Sequence, residues 1–197
     1  MKNQLTLLTT FSLMIGLTLP HFAHAIETPQ YEVIKTTTAN GNDIEIRNYS
    51  PYVVAETIVD AETLDEASKV GFKRLANYIF GDNRSRTSME MTAPVGSVGG
   101  PGRYTISFVM SAKYTLDTLP LPNDPQVTLR QIPERKVAAI GFSGFWSQKN
   151  FDSQTEELLN FLRSEGIETV GQPLIARYNM PLTPWFMRHN EIQIELK

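Results

Sequence analysis

The side chains with the most distinctive chemistry are large apolar, aromatic and thioether groups that occur together near the C-terminus. The run at residues 178–187 is Tyr-Asn-Met-Pro-Leu-Thr-Pro-Trp-Phe-Met, and it follows neither a helix period nor a strand period. Connecting segments are usually polar and exposed. An apolar one therefore either packs onto the core or lines a pocket for a flat apolar ligand. Both interpretations stay open, although composition alone favours packing.

Nucleophilic and metal-binding side chains are scarce. The chain has no cysteine, which excludes disulfides, thiolate zinc sites, iron–sulfur clusters, covalent c-type haem attachment and a cysteine nucleophile. His21 and His24 belong to the N-terminal segment, so His189 is the one imidazole of the remaining chain. Ser143 lies close to two glycines but lacks the spacing of a nucleophile elbow. We therefore expect neither a structural zinc site nor an enzyme.

The overall composition is that of an ordinary folded protein. The chain has 197 residues, of which 41% are hydrophobic and 20% charged, and this size suits one domain or two small ones. Lys and Arg number 18 against 21 Asp and Glu, so the formal net charge is −3. Because there is no basic excess, we do not expect a nucleic-acid partner.

The first 25 residues have the features of a signal peptide. Lys2 is their only charged residue, residues 5–19 are mostly apolar, and Pro20 is followed by the small-x-small tripeptide Ala-His-Ala at 23–25. We predict cleavage after this tripeptide and export to the periplasm or the cell exterior. A transmembrane anchor is the alternative, but it needs about 20 apolar residues, more than this stretch provides. The rest of the chain has no other stretch that is apolar and long enough to span a bilayer.

The remaining chain carries an internal repeat. One shift of 83 residues aligns apolar positions of a strand pair and of a later helix, taking Ile44 to Val127, Val54 to Val137 and Leu75 to Leu158. A single offset for both segments favours a duplication. We place the two repeats at about residues 31–118 and 119–197.

Each repeat is predicted to contain four strands and one helix. Two-residue alternation and β-branched runs predict strands at residues 44–49, 52–59, 89–95 and 103–110, and at 126–132, 136–143, 173–178 and 191–196. The glycine-rich residues 96–102 are expected to form a hairpin loop. Thr63 and Glu66 match a capping box at the start of a helix that ends near Gly81, and the second helix is predicted over 148–163. This pattern favours an α+β fold with a curved sheet or barrel.

Six stretches, in order along the chain, carry a family resemblance. They are residues 49–56 (Tyr-Ser-Pro-Tyr-Val-Val-Ala-Glu), 71–83 (Gly-Phe-Lys-Arg-Leu-Ala-Asn-Tyr-Ile-Phe-Gly-Asp-Asn), 89–95 (Met-Glu-Met-Thr-Ala-Pro-Val), 119–125 (Leu-Pro-Leu-Pro-Asn-Asp-Pro), 178–185 (Tyr-Asn-Met-Pro-Leu-Thr-Pro-Trp) and 188–191 (Arg-His-Asn-Glu). With them, residues 26–197 resemble the SOUL haem-binding protein family. The resemblance implies a distorted eight-stranded antiparallel barrel with two helices, built from two pseudo-twofold repeats. It also implies reversible, non-covalent binding of haem or another tetrapyrrole.

In that family, haem lies in a shallow apolar groove between the first helix and the loop before the last strand. Carried over residue by residue, the resemblance implies a binding set of Lys69, Phe72, Lys73 and Ala76 on the helix and Met180, Leu182, Trp185, Phe186 and Arg188 on the loop. Phe72 and Ala76 share a helix face because they are four residues apart. Lys69, Lys73 and Arg188 are then the expected partners of the two haem propionates.

A histidine ligand to the haem iron occurs in some family members, at a position that has no histidine here. A neutral imidazole at His189 could ligate iron instead. The alternative is a surface histidine at the start of a strand, and ligation by methionine or tyrosine, or none at all, stays open.

The sequence therefore predicts an exported haem or tetrapyrrole carrier or buffer without catalytic activity. The alternative is an interaction protein whose apolar groove binds a peptide or a partner helix.

Overall fold

The described part of the chain contains two α-helices and nine strands. The computed structural model describes residues 26–39 and 41–197. Within these ranges the strands are β1 (Tyr31–Ala39), β2 (Asn42–Tyr49), β3 (Tyr52–Val59), β4 (Val95–Gly100), β5 (Arg103–Val109), β6 (Thr128–Ile132), β7 (Arg135–Phe142), β8 (Thr169–Arg177) and β9 (Asn190–Leu196), and the helices are α1 (Leu64–Ile79) and α2 (Gln148–Ser164). The predicted signal peptide, residues 1–25, lies outside the described residues. Neither described helix has both the length and the apolarity that crossing a bilayer requires.

All nine strands form one antiparallel sheet with a two-fold order. The strands run β1-β2-β7-β9-β8-β4-β5-β3-β6 across the sheet. The four strands β2 to β5 of the first repeat correspond, in the same sequence, to β6 to β9 of the second. When each strand is replaced by its counterpart, the order of the eight strands after β1 reads the same from the opposite end, as a two-fold axis requires. Each repeat thus pairs its first strand with the second strand of the other repeat, β2 with β7 and β6 with β3. The predicted α+β class and pseudo-twofold arrangement are confirmed.

The sheet has nine strands instead of the predicted eight, because β1 adds an edge. In the described chain β1 pairs only with β2, and β6 at the other end pairs only with β3, so the sheet is not closed into a complete barrel. None of the described β1 side chains is buried. A strand with neither face in the core shows no apolar alternation, which is why the sequence pattern did not mark it.

The glycine-rich segment forms a strand, where the sequence predicted a loop. β4 pairs with β5 along its whole length, which leaves Pro101 and Gly102 as the turn, while residues 89–94 are not in a strand. Glycine has no side chain and therefore contributes nothing to a two-residue period. The missing side chain matters at Gly96, where a Cβ would lie 2.4 Å from the Ser107 Oγ.

Helix α1 begins at the predicted capping box. The Thr63 Oγ1 accepts a hydrogen bond from the Glu66 N–H at 3.2 Å, and so satisfies one of the amides that have no partner within the helix. The buried face consists of Leu64, Ala67, Gly71, Leu75, Tyr78 and Ile79. It packs on β3 and β5, and Gly71 permits a close approach, since a Cβ there would lie 2.5 Å from the Ile106 Cγ1. The neighbouring face of α1 stays exposed.

Helix α2 repeats this arrangement in the second half. The Ser147 Oγ accepts a hydrogen bond from the Asn150 N–H at 3.3 Å. The buried side chains of Phe151, Leu158 and Leu162 face β7 and β9, which are the counterparts of β3 and β5. The core therefore lies between the sheet and the two helices.

Candidate ligand-binding site

A cleft of about 450 Å³ lies beside the exposed face of α1. Small-molecule sites typically have volumes of about 300–1,000 Å³. The lining residues are Asp65, Ser68, Lys69, Phe72 and Lys73 of α1, Val95 of β4, Trp146 between β7 and α2, Arg177 at the end of β8, and Asn179 and Pro181. The cleft thus occupies the space between the first helix and the loop that precedes β9.

Phe72 supplies the apolar surface of the α1 wall. Its side chain is 39% exposed, and its ring meets the Phe108 ring edge-on with centroids 5.2 Å apart. This contact fixes one edge of the ring and leaves the rest open to the cleft. Lys69 and Lys73 lie one helical turn apart beside it, so ammonium groups border the apolar surface.

The two lysines differ in their partners. The Lys69 Nζ lies 2.6 Å from the Asp65 Oδ2, and this hydrogen bond raises the pKa of Lys69. Within the described residues, Lys73 takes part in no salt bridge. Lys73 is therefore the more available of the two for an anionic group of a ligand.

Val95, Trp146 and Arg177 form what we call the inner wall of the cleft. Val95 and Arg177 are direct partners in the pairing of β4 with β8. The Trp146 Nε1 donates a hydrogen bond to the Asn190 Oδ1 at 2.7 Å. Guanidinium groups lie 4.2 Å (Arg188) and 5.4 Å (Arg177) from the centroid of the indole ring, distances that permit cation–π attraction. The hydrogen bond and the two guanidinium groups thus hold the indole in place.

Arg188 holds the 179–189 loop, which forms the wall of the cleft opposite α1. Its Nε donates to the Thr183 carbonyl at 2.8 Å and its Nη2 to the Pro181 carbonyl at 3.0 Å. Two of the three guanidinium nitrogens of Arg188 thus donate to carbonyl groups of its own loop, and the group also contacts the Trp146 ring. Arg188 therefore shapes the loop, and a role as a propionate partner stays a prediction.

The apolar side chains of the 179–189 loop are exposed. Leu182 is 94% exposed and Phe186 61%. Trp185 stacks on Phe145, with ring centroids 5.1 Å apart and an interplanar angle of 21°. Packing of this segment onto the core, which composition alone favoured, is therefore wrong. An exposed apolar patch of this kind is typical of a binding surface.

A buried polar network around Glu191 fixes the strand that follows the loop. The Glu191 carboxylate accepts hydrogen bonds from the Arg47 Nη1 and Nη2 at 2.9 and 2.8 Å, from the Tyr178 hydroxyl at 2.8 Å and from the Gln193 Nε2 at 2.6 Å. Burial by itself raises the pKa of Glu191. Hydrogen bonds from His189 and Arg47 lower it by more than burial raises it, and the resulting pKa is about 2. The ionised carboxylate thus ties β9 to β2.

Comparison with known proteins identifies the family. The family model described as SOUL heme-binding protein matches residues 26–195. This chain belongs to the SOUL family. Heme-binding protein 2 of Homo sapiens is 30% identical over 178 residues, which cover 86% of this chain and 86% of that protein. Heme-binding protein 2 of Mus musculus is 29% identical over 189 residues, which cover 88% of this chain and 91% of that protein.

The fold of this SOUL chain also occurs among solved structures. The C-terminal domain of EcmrR superimposes with a TM-score of 0.64 at 9% identity, over 79% of this chain and 98% of that domain. At so low an identity, the likeness concerns the fold alone.

The structure brings together three of the residues that the SOUL resemblance implied. Lys69, Phe72 and Lys73 all line the cleft. Ala76 is half-buried and packs against the core. The remaining predicted residues lie on the adjacent loop, outside the immediate lining, and are Met180, Leu182, Trp185, Phe186 and Arg188.

Sequence reasoning missed all three residues of the inner wall. Val95 and Arg177 appeared only as members of predicted strands, at residues 89–95 and 173–178. Trp146 had only a weak signal, a bulky aromatic residue directly before the helix cap Ser147. None of these patterns distinguishes a cleft residue from an ordinary surface or core residue.

His189 lies directly before β9 and does not line the cleft. Its Nε2 lies 3.1 Å from the Glu191 Oε1, and its ring centroid lies 4.7 Å from that of Tyr178. Its role as an iron ligand stays a prediction. Across residues 26–39 and 41–197, no three His, Asp or Glu side chains cluster in a way that would hold a metal ion.

A second cavity, of about 230 Å³, is lined by residues of every strand from β3 to β9. Charged groups in its lining are paired with one another. Arg130 donates to both carboxylate oxygens of Glu56 at 3.0 and 2.8 Å, and the Arg135 Nη1 lies 3.2 Å from the Glu195 Oε2. The cleft beside α1 is larger, combines aromatic surface with available cations, and is the better candidate for a ligand site.

Proposed function

We propose that this SOUL-family protein is exported and binds haem or a related tetrapyrrole non-covalently in the cleft beside α1, as a carrier or buffer. The main support for the proposal is that aromatic and cationic side chains line the same cleft. The rings of Phe72 and Trp146 lie there together with the cationic groups of Lys73 and Arg177. Haem has the matching parts, a flat apolar ring system with two carboxylates.

The residues present fit such a ligand. Aromatic side chains provide large apolar surfaces for a planar ring, and lysine and arginine form charge-assisted hydrogen bonds with carboxylates. The exposed Leu182 and Phe186 of the 179–189 loop are available to cover the outer part of a macrocycle. When bound, haem would supply an iron centre within a planar ring.

A binding role accounts for the lining better than a catalytic one. Among the described lining residues there is no histidine, and the one carboxylate, Asp65, is paired with Lys69. Export is supported by the N-terminal segment, since the family match begins at residue 26, directly after the predicted cleavage tripeptide.

Haemin titration, followed through the Soret band, tests the proposal. Expressed from the full chain, the protein is expected in the exported fraction with Ile26 as its first residue, and it should bind haemin saturably. Phe72→Ala and Trp146→Ala should each weaken binding about tenfold or more, since burying a large apolar side chain contributes about 1.5–3 kcal/mol and 1.4 kcal/mol is about tenfold.

Phe80→Ala is the matched control for these variants. Phe80 follows the last turn of α1, is 61% exposed and does not line the cleft, so its removal should leave haemin affinity unchanged. Absence of saturable binding, or equal affinity in wild type and in both cleft variants, would contradict the proposal.

The exposed 179–189 loop favours a second candidate, an interaction protein that binds a peptide or partner helix. This candidate predicts that haem-free protein forms a stoichiometric complex that Leu182→Ser weakens. A complex that forms equally well with Leu182→Ser would contradict it.

A further inference from the structure

Arg177 is a cation of the cleft lining that forms no direct ion pair among the described residues. Its Nε is buried and has no hydrogen-bond partner, and burial lowers the pKa of Arg177 to about 10. Among the described residues it forms no salt bridge. Placing a charge away from water is costly unless an opposite charge or several hydrogen bonds compensate.

The groups that do contact Arg177 are neutral. Its Nη2 donates to the Ser68 Oγ and the Ser97 Oγ, both at 3.0 Å. These hydroxyls fix the direction of the guanidinium group without neutralising it. The Nη1 makes no hydrogen bond within the described residues, and unlike the Nε it is not buried. A donor of a rigid fork therefore remains available beside the inner wall.

The acid and two other cations near the cleft have partners elsewhere. Asp65 pairs with Lys69 at 2.6 Å; its charge also acts on Arg177 and raises the pKa of that group, but the two side chains form no salt bridge. Arg188 donates to two carbonyls of its own loop. Arg177 thus differs from Lys69 and Arg188 in combining partial burial with an unsatisfied charge.

We propose that Arg177 is the specificity-determining residue of the cleft and receives a carboxylate of the bound ligand at the inner wall. The inference rests on the proposed function, because it concerns the same cleft. The carboxylate would accept hydrogen bonds from the Nη1, whose position is fixed because the Nη2 of the same planar group is held by Ser68 and Ser97. The cleft therefore selects planar ligands that carry a free carboxylate over otherwise identical neutral ones.

The test compares protoporphyrin IX with its dimethyl ester, by fluorescence titration of the mature protein. Wild type should bind the free acid at least about tenfold more tightly than the ester, because hydrogen bonds to charged groups are among the stronger ones. Arg177→Gln should remove this preference while leaving ester binding within about threefold of wild type. Lys149→Gln, which removes one positive charge from α2 outside the cleft lining, is the matched control and should keep the preference.

The comparison of acid and ester in wild type needs no variant, so it can overturn the inference even if Arg177→Gln does not fold. Arg177→Lys keeps the charge but loses the planar group that Ser68 and Ser97 hold in place. The logarithm of the affinity ratio between acid and ester should therefore fall to less than half of the wild-type value. Tight and equal binding of acid and ester by wild type overturns the role of Arg177 and leaves the proposed function standing. Failure of wild type to bind either compound overturns the proposed function itself.

Discussion

The Arg47–Glu191 ion pair is buried at both ends and gives the sharpest prediction about stability. The two side chains are 6% and 2% exposed, and the Arg47 Nη2 lies 2.8 Å from the Glu191 Oε1. Glu191→Gln keeps the shape of the side chain but removes its charge. Arg47 then remains buried without its main counter-ion, and we expect a large loss in the free energy of unfolding.

Two arguments give the size of that loss. Removing one partner of a buried ion pair costs about 3–5 kcal/mol. The pKa of Glu191 is lowered from 4.5 to about 2. Each pKa unit corresponds to about 1.4 kcal/mol, so the folded protein favours the ionised carboxylate by about 3 kcal/mol. Arg47 keeps a contact with Glu45 at 2.7 Å, so we expect the lower value, about 3 kcal/mol at neutral pH.

The pH dependence has a definite sign. Because the pKa of Glu191 is lower in the folded than in the unfolded protein, its contribution is fully present above about pH 4.5 and is lost as the pH falls through about 2. Glu191→Gln cannot titrate there, so its stability should fall less steeply with acid than that of wild type.

Urea denaturation followed by far-UV circular dichroism, at about pH 7 and about pH 3, measures both effects. Glu195→Gln is the matched control on the same strand. Glu195 pairs with Arg135 at 3.2 Å but is 40% exposed, so its loss should cost about 1 kcal/mol or less. A loss below about 1 kcal/mol for Glu191→Gln, or an acid dependence as steep as that of wild type, would refute the reasoning.

Two further predictions concern packing and burial. Gly71→Ala should lower the free energy of unfolding, measured by urea denaturation, by about 1–2 kcal/mol, because overpacking against Ile106 outweighs the gain in helix propensity. At the control position Gly100 a Cβ would meet nothing within 4 Å, so Gly100→Ala should change the free energy of unfolding far less. Burial raises the pKa of Tyr78 to about 12, so its contribution to stability is present below about pH 10 and is lost as the pH rises through 12. Ultraviolet titration of the folded protein should show ionisation near pH 12 that Tyr78→Phe reduces, and an unchanged titration curve would contradict this.

Much of the secondary structure was predictable because its signals are local. β3 occupies residues 52–59 as predicted, and β7 differs from its predicted range by one residue at each end. Both helices begin directly after a hydroxyl side chain that caps the first turn, Thr63 and Ser147. Alternation in strands, three- and four-residue spacing in helices and capping residues all act between near neighbours in sequence.

The α1 side of the site was implied by the resemblance to the SOUL family. Helix geometry agrees with it, because residues that flank the core-facing stripe of a helix share the neighbouring face. Phe72, Lys69 and Lys73 therefore lie beside one another whatever the rest of the fold is. What the spacing did not reveal is that Lys69 is held by Asp65, since four-residue pairing also occurs on ordinary solvated faces.

The family and the duplication were determined by the sequence itself, whereas the inner wall of the cleft was decided only by the tertiary structure. Val95 and Arg177 meet because β4 and β8 pair across the pseudo-twofold axis, and Trp146 joins them from the segment before α2. Their proximity depends on strand register between distant parts of the chain. Local periodicity does not encode that register, and in β4 the glycines remove even the strand pattern. The unpaired charge of Arg177 is therefore visible only once the chain is folded.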